Sequence, residues 1–136
     1  MKVFISHSPK DAPLARTLAQ ALRREGLEPW LAENEILPGE NWAERVSKAL
    51  NECDAMVALI TPASIPPSTV QWDMSFAIGN IAYRQRLIPV FVGEESEIPA
   101  DAVPWILQRF PVLRLRRPED VGELVSAITG LLAAAA

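Results

Sequence analysis

The chain has 136 residues, 49% of them apolar, and a net charge of −4, which suits one domain with a sizeable core and offers no basic footprint for nucleic acid or an anionic membrane. No run approaches the roughly 20 apolar residues of a membrane span, and the N-terminus lacks the apolar core of a signal peptide. A cytoplasmic protein with no nucleic-acid or membrane partner is therefore expected.

The chain opens on Lys2-Val3-Phe4-Ile5-Ser6, an apolar run without polar alternation, as expected of a parallel strand buried on both faces. Ser8, Pro9 and Asp11 then supply an N-cap hydroxyl, a proline whose missing N–H costs nothing, and an early carboxylate. From Pro9 to Glu25 the residues Leu14, Leu18, Ala21 and Leu22 recur on one face, which predicts an amphipathic helix stopped by Gly26. Leu27 to Leu31 reads as a second strand, with Pro29 favouring a sheet edge. Ala32 to Glu40 reads as a long, unanchored acidic loop turning at Pro38-Gly39.

Asn41 and Glu44 have capping-box spacing, and Trp42, Val46, Ala49, Leu50 and Cys53 predict the buried stripe of a second helix. Ala55 to Ile60 is a second wholly apolar run and a third strand, which Thr61 to Pro67 cannot continue. Ser68 and Gln71 open a further helix through about Tyr83. Leu87 to Val92 is a fourth strand, followed by an acidic loop from Gly93 to Pro99 and at most a short helix over Ala102 to Gln108. Pro111 to Leu115 alternates as an exposed fifth strand would. A last helix from Pro118 carries Val121, Leu124, Val125, Ile128, Leu131 and Leu132 on one face. The lone Cys53 cannot form an internal disulfide and reads as a core thiol, and together with the single His7 it offers no metal-ligand spacing, so no metal is expected.

Five strand–helix repeats predict an α/β, flavodoxin-like three-layer sandwich whose five-stranded parallel sheet has the order 2-1-3-4-5. The crevice of such a sheet lies between strands one and three, beside Ser6 to Asp11, Thr61 to Thr69 and the start of the third helix. A phospho-acceptor domain would place acidic residues there, but Ser6-His7-Ser8 and Ile60-Thr61-Pro62 stand instead. Neither GxxxxGK[ST] nor GxGxxG occurs among the six glycines, which removes the common phosphate-binding loops.

Three stretches from Lys2 to Val92 resemble the bacterial Toll/interleukin-1 receptor (TIR) domain. Val3 to Ser8 with Asp11 is similar to the first box of that family, and Trp30 through Pro38-Gly39 to its second strand and BB loop. Ser68 to Gly79 is similar to the segment bearing its catalytic glutamate. The resemblance implies one TIR domain over residues 1–136, with NAD⁺ as substrate rather than cofactor and no cofactor of its own. It also implies other TIR domains as partners in a homo-oligomer or filament, with a role in anti-phage defence or signalling. Two activities are open: cleavage of the nicotinamide–ribose bond on assembly, as a nucleosidase or cyclase, or a non-catalytic TIR–TIR interaction module. A third, remoter reading is a nucleoside deoxyribosyltransferase of similar fold, against which the Pro38-Gly39 loop argues.

On the pattern V-x-x-E-L-x-x-A, the run Val70 to Ala77 puts Asp73 in the glutamate's place. Most glycosidases need a second carboxyl group to protonate a leaving alkoxide, whereas nicotinamide departs as a neutral pyridine. One carboxylate near the oxocarbenium-like ribosyl centre can therefore suffice. Aspartate falls one methylene, about 1.5 Å, short of glutamate, and a displacement near 1 Å can cost about 10²-fold in rate. The competing reading makes Asp73 a first-turn carboxylate that compensates the helix dipole.

The candidate substrate-binding residues are Ser6, His7, Ser8, Trp30, Glu33, Glu35 and Gly39. The serines offer hydroxyls or N–H groups beside a helix N-terminus, and His7 offers a donor or merely a cap. Trp30 offers an aromatic face or merely covers the sheet edge. Glu33 and Glu35 stand near Ala32, where many relatives carry aspartate. Trp42 and Trp72 are expected in the core.

Overall fold

The computed structural model describes residues 1–62, 69–79, 83, 86–93 and 110–135. Strand β1 (Lys2–Ser6) pairs in parallel with β2 (Glu28–Trp30) on one side and β3 (Ala55–Ile60) on the other, and β4 (Leu87–Val92) and β5 (Leu113–Leu115) complete the sheet. The order is 2-1-3-4-5, all parallel, as the alternation of strand and helix predicts.

Both central strands are unbroken apolar runs because both of their faces are covered. Val3 and Ile5 of β1, with Val57 and Leu59 of β3, pack against α1 (Ala12–Arg24) and α5 (Val121–Ala135). Phe4, Met56, Ala58 and Ile60 point the other way, against α3 (Trp42–Glu52) and α4 (Thr69–Gly79). This period of two divides the core into two layers and makes the three-layer sandwich. All six residues of β3 are buried, and each large aliphatic one contributes about 1.5–3 kcal/mol by leaving water. A charge at Val57, which is 0% exposed, would break the fold.

Punctuation in the sequence sets the helix ends. Ser8 Oγ accepts from Lys10 N at 3.3 Å, but Pro9–Asp11 first wind a 3₁₀ turn, so α1 starts three residues later than its pattern suggests. Gly26 stops α1 in the left-handed region at φ +86°, where a side chain is strained. Asn41 Oδ1 accepts from Glu44 N at 3.1 Å and caps α3. Strand β2 lies at the sheet edge, where Pro29 lacks an N–H to offer, and it spans three residues rather than five. Strand β5 is a partly buried edge of three residues, not an exposed strand of five.

The stretch Ala32 to Glu40 departs most from expectation. Its first part winds into a four-residue helix, α2 (Ala32–Glu35). The Pro38-Gly39 turn is present, with Gly39 at φ +91° and Glu40 N donating to the Leu37 carbonyl at 3.1 Å, a type II geometry. Far from being unanchored, the turn is tied to α3. Arg45 Nη2 donates to the Glu35 carbonyl at 2.8 Å, and its Nε stands 3.2 Å from Glu40 Oε2 as an ion pair.

Cys53 is buried in the α3/α4 core, and burial pushes its thiol up to about 11. Ser68 as a cap, the Gly93 to Pro99 loop beyond Gly93, the Ala102 to Gln108 segment, the helix past Gly79 and the side chain of Trp72 lie outside the described residues. Among the described residues no helix is long and apolar enough to cross a membrane.

Candidate functional site

The C-terminal ends of β1 and β3 meet where the strand order reverses, which is where open α/β sheets form their crevice. Asp11 and Thr61 pin that rim together, for Thr61 Oγ1 donates to Asp11 Oδ2 at 2.6 Å. The bond joins the turn before α1 to the residue after β3. It fixes the path of the His7–Ser8 loop.

Beneath that loop lies a cavity of about 710 Å³ whose lining includes Ser6, His7, Glu33 and Asp73. Its polar centre is built from three elements. Ser6, the last residue of β1 and 1% exposed, donates from Oγ to Asp73 Oδ2 at 2.7 Å. His7 follows with one ring nitrogen, Nδ1, 2.8 Å from the Ser8 carbonyl and the other, Nε2, 3.1 Å from Glu33 Oε2 on α2. A carbonyl oxygen can only accept, so Nδ1 donates. Nε2 then bonds the carboxylate only as the imidazolium or with a proton held on Glu33.

Asp73 is the fifth residue of α4, and no acidic residue lies in that helix's first turn. The dipole term falls off within the first turn, which weakens the reading of Asp73 as a dipole-compensating carboxylate. Burial pushes its carboxyl up to about 6, against the downward pull of the Ser6 hydroxyl and the His7 charge. A carboxyl group that is partly buried, hydrogen-bonded on one oxygen and perturbed toward neutrality inside a cavity has the features of a working group rather than of a solvated surface charge.

The other residues singled out in the sequence separate. Ser8 is buried and its hydroxyl is occupied as the cap. Trp30, 8% exposed, stacks on Phe4 with ring centroids 5.0 Å apart. The two are direct partners in the β1–β2 register, so Trp30 covers the sheet edge and does not line the cavity. Glu35 lies with Trp30 in a second cleft, about 550 Å³, behind the edge strand. Gly39 shapes the turn and is not among the cavity's lining residues.

Trp42 corrects a core expectation. The apolar stripe of α3 begins with it, yet it is 52% exposed and stands in the cavity wall. As the first residue of α3 it extends past the end of the core, while Ala49 and Leu50 further along are buried. The sequence reading missed three further features: Phe76, one turn beyond Asp73; Arg16 of α1; and the Ser6–Asp73 bond. The i+3 spacing of Asp73 and Phe76 was available as a signal, but a contact across 67 positions was not. Among the described residues no group of three or more His, Cys, Asp or Glu side chains is placed to hold a metal ion.

The TIR domain family model matches residues 3–125. A probable 2′ cyclic ADP-D-ribose synthase of Brachypodium distachyon is 27% identical over 143 residues, covering 97% of this chain and 62% of that protein. A 2′ cyclic ADP-D-ribose synthase of Bacteroides thetaiotaomicron is 27% identical over 73 residues, 53% of this chain and 25% of that protein. The chain thus spans less than two thirds of either curated relative. A metazoan TIR-STING receptor from C. gigas, solved with 2′,3′-cGAMP, superposes with a TM-score of 0.70 at 24% identity, over 91% of this chain and 39% of that one. That likeness bears on the fold alone.

Proposed function

The chain belongs to the TIR domain family, and on that premise we propose that it cleaves the nicotinamide–ribose bond of NAD⁺, with Asp73 as its catalytic carboxylate. The observation that carries this reading is the Ser6-bonded Asp73 in the cavity at the sheet's switch point. The names of the two curated relatives, both as 2′ cyclic ADP-D-ribose synthases, support it.

The chemistry asks little of the protein beyond that centre. NAD⁺ carries its positive charge on the pyridinium, and as the bond breaks the charge passes to the ribosyl carbon. A carboxylate beside that carbon interacts more strongly as the charge moves onto the carbon in the transition state than with the pyridinium of the bound substrate, which is the condition for raising the rate. Ser6 holds one Asp73 oxygen in place, leaving the other to face the ribose. Capture by water gives linear ADP-ribose, and capture by a hydroxyl of the same molecule gives a cyclic product.

We propose that the active form is a self-assembly and that Ile36–Glu40 contributes to it. Leu37 at its tip is 66% exposed, and Arg45 holds the turn in one shape, which lowers the entropy cost of docking it. The setting we propose is defence or signalling, since both relatives are named for making a small cyclic nucleotide. Concentrated protein incubated with NAD⁺, with and without a crowding agent, tests the reading by chromatography. Nicotinamide release that rises more than linearly with protein concentration is expected, and no nicotinamide at any concentration would overturn it.

A further inference from the structure

Resting on the reading that this cavity cleaves NAD⁺, we infer that it holds the dinucleotide in one orientation. The nicotinamide lies between α3 and α4 against Trp42 and Phe76, and the diphosphate lies on Arg16 of α1. Helix α1 packs on one face of the sheet and α3 and α4 on the other, so a cavity lined by all three passes over the end of β1. Ser6, His7 and Asp73 stand at that crossing.

The two limbs differ in chemistry. The α3/α4 limb is walled by Phe4, Trp42, Val46, Leu50 and Phe76, which suits a flat group that becomes neutral as it departs. Phe76 lies three residues after Asp73 on α4 and so on the same face, placing an aromatic ring beside the carboxylate. Helix α3 runs antiparallel to the strands, so its first residue, Trp42, is at the open end of the crevice. Half its surface is exposed, although a tryptophan this apolar is usually covered.

The α1 limb is walled by Pro9, Ala12 and Arg16. Arg16 is exposed and has no hydrogen-bond or ion-pair partner among the described residues. Arg16 and His7 are the only basic side chains among the described residues of the lining, and His7 already faces Glu33. A diphosphate placed in the other limb would meet no cation among the described lining residues and would lie along apolar walls, which is costly without pairing. A guanidinium receives it with two parallel hydrogen bonds. Polarity alone therefore orients the substrate, with the scissile bond left at Asp73.

Steady-state kinetics with NAD⁺ and with nicotinamide riboside, which has the same scissile bond and no phosphate, separate the limbs. Arg16→Gln should raise KM for NAD⁺ by about 10- to 100-fold, the worth of a charge-assisted hydrogen bond, with kcat nearly kept and the riboside unaffected. Trp42→Ala should raise KM for both substrates by about fivefold or more, and Trp42→Phe should restore most of the loss. Both side chains are exposed, so neither variant is expected to unfold the protein. An Arg16→Gln effect that is equal for the two substrates, or absent from both, would overturn the orientation.

Binding provides a test that does not need turnover. In nuclear magnetic resonance titrations nicotinamide alone should shift the Trp42 indole signal, and ADP-ribose should shift the Arg16 side chain. If that pattern appears without NAD⁺ cleavage by the wild type, the orientation stands and the catalytic reading fails. The reverse pattern, or no shift with either compound, overturns the orientation itself.

Discussion

Replacing Asp73 by asparagine is expected to make the protein more stable at neutral pH while removing its proposed activity. Burial raises the carboxyl from its ordinary 3.8 to about 6, so the folded state holds that proton more tightly than the unfolded one. Below pH 3.8 both states are protonated and the folded state carries no penalty. As pH rises through about 6 the folded protein must hold a partly buried charge, and the stability present at low pH is lost. A shift of about two units at 1.36 kcal/mol each gives about 2–3 kcal/mol at pH 8. Asparagine keeps an oxygen to accept from Ser6 at nearly the same place, so the hydrogen bond survives and the charge does not. For a chain of this size that is a rise in melting temperature of about 6–12 °C.

Calorimetry of wild type and Asp73→Asn at pH 4 and pH 8 provides the assay. The gain should be present at pH 8 and nearly gone at pH 4. A melting temperature equal to or below wild type at pH 8, or the same difference at both values, would refute the reasoning and return Asp73 to the role of a structural carboxylate. Helix-dipole compensation predicts the opposite sign, a loss of about 0.3–1 kcal/mol on neutralisation. The gain and the loss of activity would together be the signature of a site strained for function.

Other outcomes follow from the same geometry. The rate of NAD⁺ cleavage should fall as pH drops through about 6, where Asp73 takes up its proton. His7→Gln should move that limb of the pH–rate profile upward, because the His7 charge pulls the Asp73 value down. Thr61→Val should cost about 1–2 kcal/mol in denaturant unfolding, since the hydroxyl that binds Asp11 is replaced by a group of the same shape. Arg45→Ala should speed proteolysis at Leu37 by freeing the turn, and an unchanged cleavage rate would show that the turn holds itself.

The fold was legible because two signals agreed over most of the chain. The unbroken apolar runs of β1 and β3 could belong only to strands covered on both faces, and capping residues such as Ser8 and Asn41 marked the helix starts between them. Short-range competition was harder to read. Pro9–Asp11 chose a 3₁₀ turn over an α-helical one, and Ala32–Glu35, although acidic, gained enough from the ties through Arg45 and His7 to wind into a helix.

The site was legible by half. Ser6, His7, Glu33 and Asp73 converge because topology brings the ends of β1 and β3 together, and topology followed from the alternation of elements. Trp30 and Glu35 were neighbours of that rim in sequence but do not line the cavity: Trp30 shares the Phe4 side of the sheet and is taken up by stacking on that ring at the edge, and Glu35 opens with it onto the second cleft. Trp42 shows the limit of periodicity, which tells which face of a helix is apolar but not how far along the helix the core extends. Arg16 carried no local signal, since a cation on a polar helix face looks alike whether it faces water or a cavity.

The measurement that bears most directly on the central claim is nicotinamide release from NAD⁺ by wild type, Asp73→Asn and Asp73→Glu at equal concentration and matched folded fraction at pH 8. The account predicts release by the wild type and none above background by Asp73→Asn, although that variant melts higher. Asp73→Glu, whose carboxylate reaches about 1.5 Å further, should change the rate by an order of magnitude or more in either direction. Full-rate release by Asp73→Asn would contradict the account, because the charge at Asp73 would then have no part in breaking the bond.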